Sequence, residues 1–164
     1  MSTANNKLFQ DIEGIQIEKD ALIVLVKTEW NAAIVDELEN GCRTVLEQHD
    51  ISYKTLVVPG AVEIAFAIQQ CWANTKKPQA FIALGCVIKG DTPHFDYVCK
   101  AVTDGVTQLN LNLPIPVIFG VLTVDTDQQA QERIGGTHGH KGEEAAITAL
   151  KMIDLNQKLK EGNW

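Results

Sequence analysis

The sequence has 164 residues, 45% of them hydrophobic and 21% charged, which is the composition of an ordinary globular protein with one sizeable core. Its formal net charge is −7 at pH 7 and no basic stripe stands out, so we expect no binding of nucleic acid. No apolar run approaches the roughly 20 residues that span a bilayer, so we also expect no association with a membrane.

The cysteine pattern and the N-terminal sequence both favour a cytoplasmic protein. The four cysteines are far apart in the chain and form no C-x-x-C motif, so we expect buried free thiols rather than disulfides. The first residues, MSTANNKLFQDIEG, contain no apolar core of a signal peptide.

Four apolar runs predict strands, because they are hydrophobic on consecutive residues, as parallel strands covered on both faces are. These runs are residues 21–26, 54–59, 80–88 and 116–124. Apolar residues at helical spacing predict helices between and after them. The predicted helices are residues 31–48, 61–73, 94–111, 126–134 and 142–159. Asp125 or Thr126 would cap the short fourth helix.

The alternation of strands and helices predicts an α/β protein, a three-layer sandwich with a four-stranded parallel sheet. No linker or repeat interrupts the chain, so we expect a single domain over residues 1–164. Residues 1–20 form a polar N-terminal arm, in which GIQIE at 14–18 could add an extra strand against a neighbouring subunit.

Ligands of open α/β sheets bind beyond the carboxyl ends of the strands, so the residues there are candidate site residues. Trp30 and Asn31 follow the first predicted strand, and the Trp30 ring is either a packing residue or a stacking surface for a planar heterocycle. After the second strand, Gly60 and Ala61 let a ligand approach the backbone. Glu63 either complements the helix dipole or accepts hydrogen bonds from a polyol.

The third strand ends in the sequence GCVIKGDTPHFDYV, residues 85–98. Gly90, Asp91 and Thr92 precede a predicted helix, where free backbone N–H groups and the Thr92 hydroxyl suit a phosphate, although the charge of Asp91 opposes an anion. His94 is either an ordinary surface histidine or a proton acceptor that the helix N-terminus keeps neutral.

The glycine-rich segment GGTHGHKG, residues 135–142, is not a phosphate loop, because it follows a helix and lacks Ser or Thr after the lysine. His138 and His140 have no acid or cysteine cluster to complete a metal site, so we expect no metal. We predict a kinked connection between two helices, with Arg133 and Lys141 available to bind an anion.

Four ordered motifs resemble one known family. They are PGAVEI at 59–64, GCVIKGDTPHFDYV at 85–98, PVIFGVLTVDT at 116–126 and QERIGGTHGHKGEEAA at 131–146. In sequence and spacing they are similar to 6,7-dimethyl-8-ribityllumazine synthases. The resemblance implies a flavodoxin-like fold and a transferase without metal or organic cofactor. That enzyme condenses 5-amino-6-(D-ribitylamino)uracil with 3,4-dihydroxy-2-butanone 4-phosphate, releasing phosphate and water, in the penultimate step of riboflavin biosynthesis.

The resemblance also implies roles for individual residues. The residue that transfers protons would be His94. The residues that bind the pyrimidine and the ribityl chain would be Trp30, Ala61, Val62, Glu63, Cys86, Val87, Ile88 and, from a neighbouring subunit, Phe119. The residues that bind the phosphate would be Asp91, Thr92 and Arg133. Further candidates are Asn31 and Lys141. The sequence departs from the family pattern at Trp30, where phenylalanine is usual, and at His138 and His140.

For assembly, the resemblance implies pentamers with active sites between subunits, which in some members build decamers or icosahedral shells. The short linker over residues 135–141 favours the icosahedral form here, and riboflavin synthase is a further candidate partner. Two other functions stay open. One is a riboflavin synthase of the kind that resembles lumazine synthases, against which Trp30, His94 and Arg133 argue. The other is a flavin-binding shell protein with little turnover.

Overall fold

The computed structural model describes residues 11–163 and has a four-stranded parallel sheet at its centre. The strands are β1 (Leu22–Thr28), β2 (Ser52–Val58), β3 (Ala80–Ile88) and β4 (Val117–Val124), in the order β2-β1-β3-β4. The helices are α1 (Ala32–Gln48), α2 (Ile64–Thr75), α3 (His94–Asn112), α4 (Asp127–Gln131) and α5 (Lys141–Glu161). The predicted α/β fold is confirmed. The Thr126 side chain caps α4 by accepting from the backbone N–H of Gln129 at 3.2 Å.

Helices cover both faces of the sheet, because successive strand residues point to opposite sides. In β1, Ile23 and Leu25 belong to the core under α1 and α5, whereas Val24 and Val26 belong to the core under α2 and α3. β3 lies between two strands, and its first seven residues are all buried. None of the helices within residues 11–163 is long and apolar enough to cross a membrane.

The sequence predicts that β2 is covered on both faces, but most of its residues are at least partly exposed. It lies at the edge of the sheet, and Val58 is its only buried residue. Leu56 and Val57 are 36% and 54% exposed. The expectation was wrong for β2, because an edge strand lacks a neighbour on one side and its covering helices leave part of it open.

The predicted kinked connection at residues 135–141 is a β-hairpin, so that expectation was wrong. α4 ends at Gln131, and the chain then forms β5 (Ile134–Gly136) and β6 (Gly139–His140), paired antiparallel. Gly135 and Gly139 have φ of 110° and 76°, the left-handed region in which glycine is favoured. These two glycines allow the reversal that periodicity did not indicate.

The N-terminal arm contains no strand within residues 11–20, so GIQIE adds none to the sheet of its own chain. The backbone N–H of Gln16 instead donates to the carboxylate of Asp154 on α5 at 3.1 Å. Although burial raises the pKa of Asp154, hydrogen bonds from Lys158 and Gln16 lower it overall. Residues 1–10 of the predicted arm lie outside the described residues.

A close crossing of α1 and α5 fixes where the hairpin joins the sheet. A Cβ on Gly142 would overlap the carbonyl oxygen of Leu38, so the two backbones are in contact there. The Cys42 thiol donates to the Gly142 carbonyl at 3.1 Å, and burial, followed by the charge of Glu39, raises the pKa of that thiol. All four cysteines are free thiols as predicted, two of them buried and two partly buried.

Candidate active site

A cavity of about 600 Å³ lies beyond the carboxyl ends of β1 and β3, where the sequence analysis expected a ligand. We call it the strand-end cavity. Its walls come from the β1–α1 turn, the short 3-10 turn Ala61–Glu63, the end of β3 and the start of α3. The predicted site residues that line it are Trp30, Asn31, Ala61, Val62, Glu63, Cys86, Val87, Ile88, Thr92 and His94.

Trp30 forms one wall of the cavity with an indole ring that is 74% exposed. A ring that packed against its own chain would be covered, so the structure excludes the packing interpretation for the single chain. An exposed, flat aromatic surface at the mouth of a cavity is suited to stacking on a planar ligand.

The 3-10 turn brings Glu63 to the same cavity. Gly60 is extended, with φ −145° and ψ 177°, and a Cβ there would lie 3.0 Å from Oε2 of Glu63 and 4.0 Å from Cδ1 of Trp30. The absence of a side chain at Gly60 therefore leaves room for the Glu63 carboxylate beside the indole. This carboxylate is exposed, so it can accept hydrogen bonds from a bound ligand.

The end of β3 contributes main-chain groups. The carbonyl of Cys86 accepts a hydrogen bond from the Asn31 side chain at 2.8 Å, and the backbone N–H of Lys89 donates to Val124 on β4. Because strand groups alternate in direction, the N–H and C=O of Ile88 point to the same side as the Cys86 carbonyl, away from β4. Burial, followed by the charge of Asp127, raises the pKa of the Cys86 thiol to about 11, so it is protonated and not a nucleophile at neutral pH.

His94 is the first residue of α3 and faces the strand-end cavity with an exposed side chain. Its backbone N–H lies 3.4 Å from Oγ1 of Thr92, a long contact, and Pro93 occupies the cap position. Gly90 has open space where a Cβ would be. The turn before α3 thus offers a hydroxyl, backbone N–H groups and an imidazole to one ligand.

The remaining predicted residues do not line the strand-end cavity of the same chain. Asp91 is exposed beside it. Phe119 and Lys141 line a separate depression of about 860 Å³ between β4 and α5, which we call the second depression. The Lys141 ammonium is paired with Glu144 at 2.8 Å. Nη1 of Arg133 donates to the carbonyl of Gln129 at 2.7 Å, within its own helical region.

Three further residues line the cavity without having been predicted as site residues: Thr28, Phe95 and Val98. Thr28 ends β1 and is 2% exposed, so only its position at a strand end could have indicated it. Phe95 follows His94 at the start of α3, and Val98 lies one turn further along, on the same helical face as His94.

The parallel sheet and the cavity at its carboxyl edge place the chain among the α/β proteins that bind small molecules at strand ends. The family model of 6,7-dimethyl-8-ribityllumazine synthase matches residues 20–157, and the chain belongs to this family. It is therefore a lumazine-forming transferase of riboflavin biosynthesis.

Curated relatives agree along nearly the whole chain. The 6,7-dimethyl-8-ribityllumazine synthase of Parabacteroides distasonis is 45% identical over 160 residues, 95% of this chain and 99% of that protein. The synthase of Porphyromonas gingivalis is 46% identical, covering 96% and 99%. That of Bacteroides fragilis is 49% identical over 134 residues, covering 80% and 93%.

Proposed function

We propose that the strand-end cavity is where 5-amino-6-(D-ribitylamino)uracil condenses with 3,4-dihydroxy-2-butanone 4-phosphate to give 6,7-dimethyl-8-ribityllumazine. The observation that carries this proposal is that one cavity collects Trp30, Glu63, Thr92 and His94 from separate elements. The cavity offers an indole for stacking on a planar ring, a carboxylate for a polyol, a hydroxyl for a phosphate and an imidazole for proton transfer.

The pyrimidine and its ribityl chain occupy the part of the cavity between the β1–α1 turn and the 3-10 turn. The ring stacks on Trp30, and its polar edge meets the main chain at the end of β3, where Ile88 presents its N–H and C=O. The ribityl hydroxyls bind Glu63 and the backbone at Ala61 and Val62. Support comes from the exposed indole and from the space that Gly60 leaves beside the carboxylate.

The butanone phosphate binds at the turn before α3. Thr92, the adjacent backbone N–H groups and Asp91 contact the phosphate or its neighbouring hydroxyls, and a helix N-terminus favours the anion. The substrate amine attacks the ketone to form an imine with loss of one water, and phosphate is then eliminated. The enol left behind becomes a ketone, and attack of the ribitylamino nitrogen on it closes the ring with loss of a second water. His94 accepts and returns protons in these steps, while the fixed geometry of the two substrates supplies much of the acceleration.

A neighbouring subunit completes the site in this proposal. Phe119 and Lys141 lie in the second depression, and Arg133 lies on the connection beyond α4, so none of them reaches the cavity of its own chain. Placed against the strand-end cavity of the next copy, Phe119 covers the pyrimidine while Arg133 and Lys141 approach the phosphate. Such a head-to-tail contact generates a closed ring, which we propose is a pentamer.

Exposed apolar side chains on both sides support this contact. Phe66 on α2 and Tyr97 on α3 are 68% and 72% exposed, and Leu111 on α3 and Met152 and Leu155 on α5 are between 39% and 74% exposed. Apolar patches of this kind mark protein interfaces. We further propose that the pentamers form an icosahedral shell in the cytoplasm, with riboflavin synthase as a candidate partner. Light scattering tests this, and a pentamer or decamer mass contradicts the shell.

The activity assay mixes both substrates with protein and follows lumazine absorbance against a protein-free control, because the substrates also react unassisted. We expect acceleration over that control, and His94→Ala to lower kcat by about ten- to a hundredfold. An intact assembly that gives no acceleration contradicts the proposed function. Unchanged kcat in the His94→Ala variant contradicts the role of His94 alone.

A further inference from the structure

The β1–α1 turn is tied on one side to β2. The backbone N–H of Glu29 donates to the carbonyl of Val58 at 2.9 Å, and that of Trp30 donates to the carbonyl of Pro59 at 3.3 Å. These bonds continue the β1–β2 ladder past the end of the strand, so the backbone that carries the indole does not move independently of the sheet.

The side chains of Thr28 and Asn31 also form hydrogen bonds that hold the β1–α1 turn. The buried Thr28 hydroxyl donates to the carbonyl of Trp30 at 3.1 Å. Nδ2 of Asn31 donates to the carbonyl of Cys86 on β3 at 2.8 Å. Residues 29–31 are therefore bonded to both strands that flank β1, to β2 through two backbone N–H groups and to β3 through the side chain of Asn31.

Asn31 also has an unusual backbone conformation, with φ 57° and ψ 41°. Non-glycine residues seldom adopt the left-handed region, and asparagine tolerates it best because of its short polar side chain. Here the conformation directs the amide group across the cavity wall to β3, while the Asn31 carbonyl accepts from the N–H groups of Ile34 and Val35 in the first turn of α1.

The Trp30 ring has little packing of its own to fix it, because 74% of the residue is exposed. Its position relative to β3 must come from the backbone on either side. We propose that Thr28 and Asn31 are positioning residues, which set the spacing between the Trp30 indole and the main chain at the end of β3. This inference rests on the proposed function, in which the pyrimidine fills that space.

Asn31→Gly is the principal test. Glycine adopts positive φ without strain, so the variant keeps the turn and removes the side chain that bonds to Cys86. We expect the KM for the ribitylaminouracil to rise about tenfold, with the KM for the butanone phosphate changed less than about twofold. Lys76→Gly is the matched control, because Lys76 has φ 48° at the end of α2 and does not line the cavity. It should leave both KM values unchanged.

Thr28→Val and Thr28→Ser form a second pair. Valine keeps the shape of threonine without the hydroxyl, whereas serine keeps the hydroxyl. We expect Thr28→Val to raise the KM for the ribitylaminouracil about threefold, and Thr28→Ser to restore it. A structural role in stability alone would lower Tm and raise both KM values together, and this result overturns the inference.

Trp30→Ala distinguishes a failure of the positioning inference from a failure of the proposed pyrimidine location. If it raises the KM for the ribitylaminouracil while Asn31→Gly and Thr28→Val do not, the stacking role stands and the positioning inference is wrong. If Trp30→Ala itself leaves that KM unchanged, the proposed location of the pyrimidine is wrong, whatever the other variants do.

Discussion

The two strand-to-helix turns that face the cavity are built differently. The β1–α1 turn is bonded to β2 and β3 and carries the exposed indole of Trp30. In the β3–α3 turn, the N–H of Lys89 donates to Val124 on β4, but Gly90 has open space beside it, Asp91 is exposed, and the contact between Thr92 and the N–H of His94 is 3.4 Å long. The first turn is bonded to two strands, whereas the N–H groups of residues 90–92 in the second donate none of the hydrogen bonds that the structure describes.

The difference matches what each substrate needs. An aromatic ring is recognised by a fixed plane at a fixed distance, so a stacking surface binds better when hydrogen bonds to the sheet already hold its backbone in place. A phosphate is recognised by N–H groups and hydroxyls that must not already be satisfied by the protein. We therefore expect substitutions in the first turn to affect the pyrimidine, and substitutions in the second to affect the butanone phosphate.

Trp30→Ala should give the largest effect on binding. Stacking of a base on an aromatic ring is worth about 2 kcal/mol, so the KM for the ribitylaminouracil should rise about thirtyfold. The KM for the butanone phosphate should change little. Initial rates with each substrate varied in turn measure both constants, and an equal rise in the two would remove the distinction between the turns.

Gly60→Ala should have a smaller effect on the same substrate. The new Cβ would lie 3.0 Å from Oε2 of Glu63 and push the carboxylate aside. We expect the KM for the ribitylaminouracil to rise about tenfold, because one hydrogen bond to a charged group is worth about 1.5 kcal/mol.

Gly90→Ala is the matched comparison for Gly60→Ala, because nothing lies within 4 Å of a Cβ at Gly90. Both KM values should stay within about twofold of those of the unsubstituted protein, and Tm should stay within about 3 °C. A loss of stability comparable to that of a core substitution would show that this turn is more constrained than its contacts indicate.

Thr92→Ala tests the β3–α3 turn, which we expect to bind the butanone phosphate. Removal of the hydroxyl should raise the KM for the butanone phosphate about fivefold and leave that for the ribitylaminouracil unchanged. Thr92→Ser, which keeps the hydroxyl, is the control and should behave like the unsubstituted protein.

Cys86 should show the smallest effect, because only its main chain is assigned a role. Cys86→Ser should keep kcat and both KM values within about twofold. Since burial raises the pKa of the thiol to about 11, the reactive thiolate is scarce at pH 7 and increases as the pH rises toward that value. Alkylation rates at Cys86 followed by mass spectrometry should rise with pH in the same way.

The sequence predicted most of the fold because strands β1, β3 and β4 are buried enough to be apolar on nearly every residue. It failed where local chemistry outweighs periodicity. At β2, the edge position leaves Leu56 and Val57 exposed although they are apolar. At the hairpin, Gly135 and Gly139 have positive φ, and this backbone conformation is not indicated by any periodic pattern of apolar residues.

The sequence predicted which strand ends form the site, but it did not predict the hydrogen bonds and positions of the side chains within it. Trp30, Glu63 and His94 all follow strands, and parallel strands end at one edge, so their convergence could be expected. The bond from Asn31 to Cys86 could not, because it depends on a left-handed backbone that the sequence does not specify. The separation of Phe119 from the cavity of its own chain was expected from the family resemblance alone, because no pattern in the sequence shows where β4 lies relative to the cavity.

The most direct test of the central claim is a crystal structure of the protein with 6,7-dimethyl-8-ribityllumazine and inorganic phosphate bound. We predict the lumazine ring in stacking contact with Trp30, the ribityl chain at Glu63, and the phosphate beside Thr92. A ring bound in the second depression away from any copy's Trp30, or phosphate bound remote from the β3–α3 turn, would contradict the account.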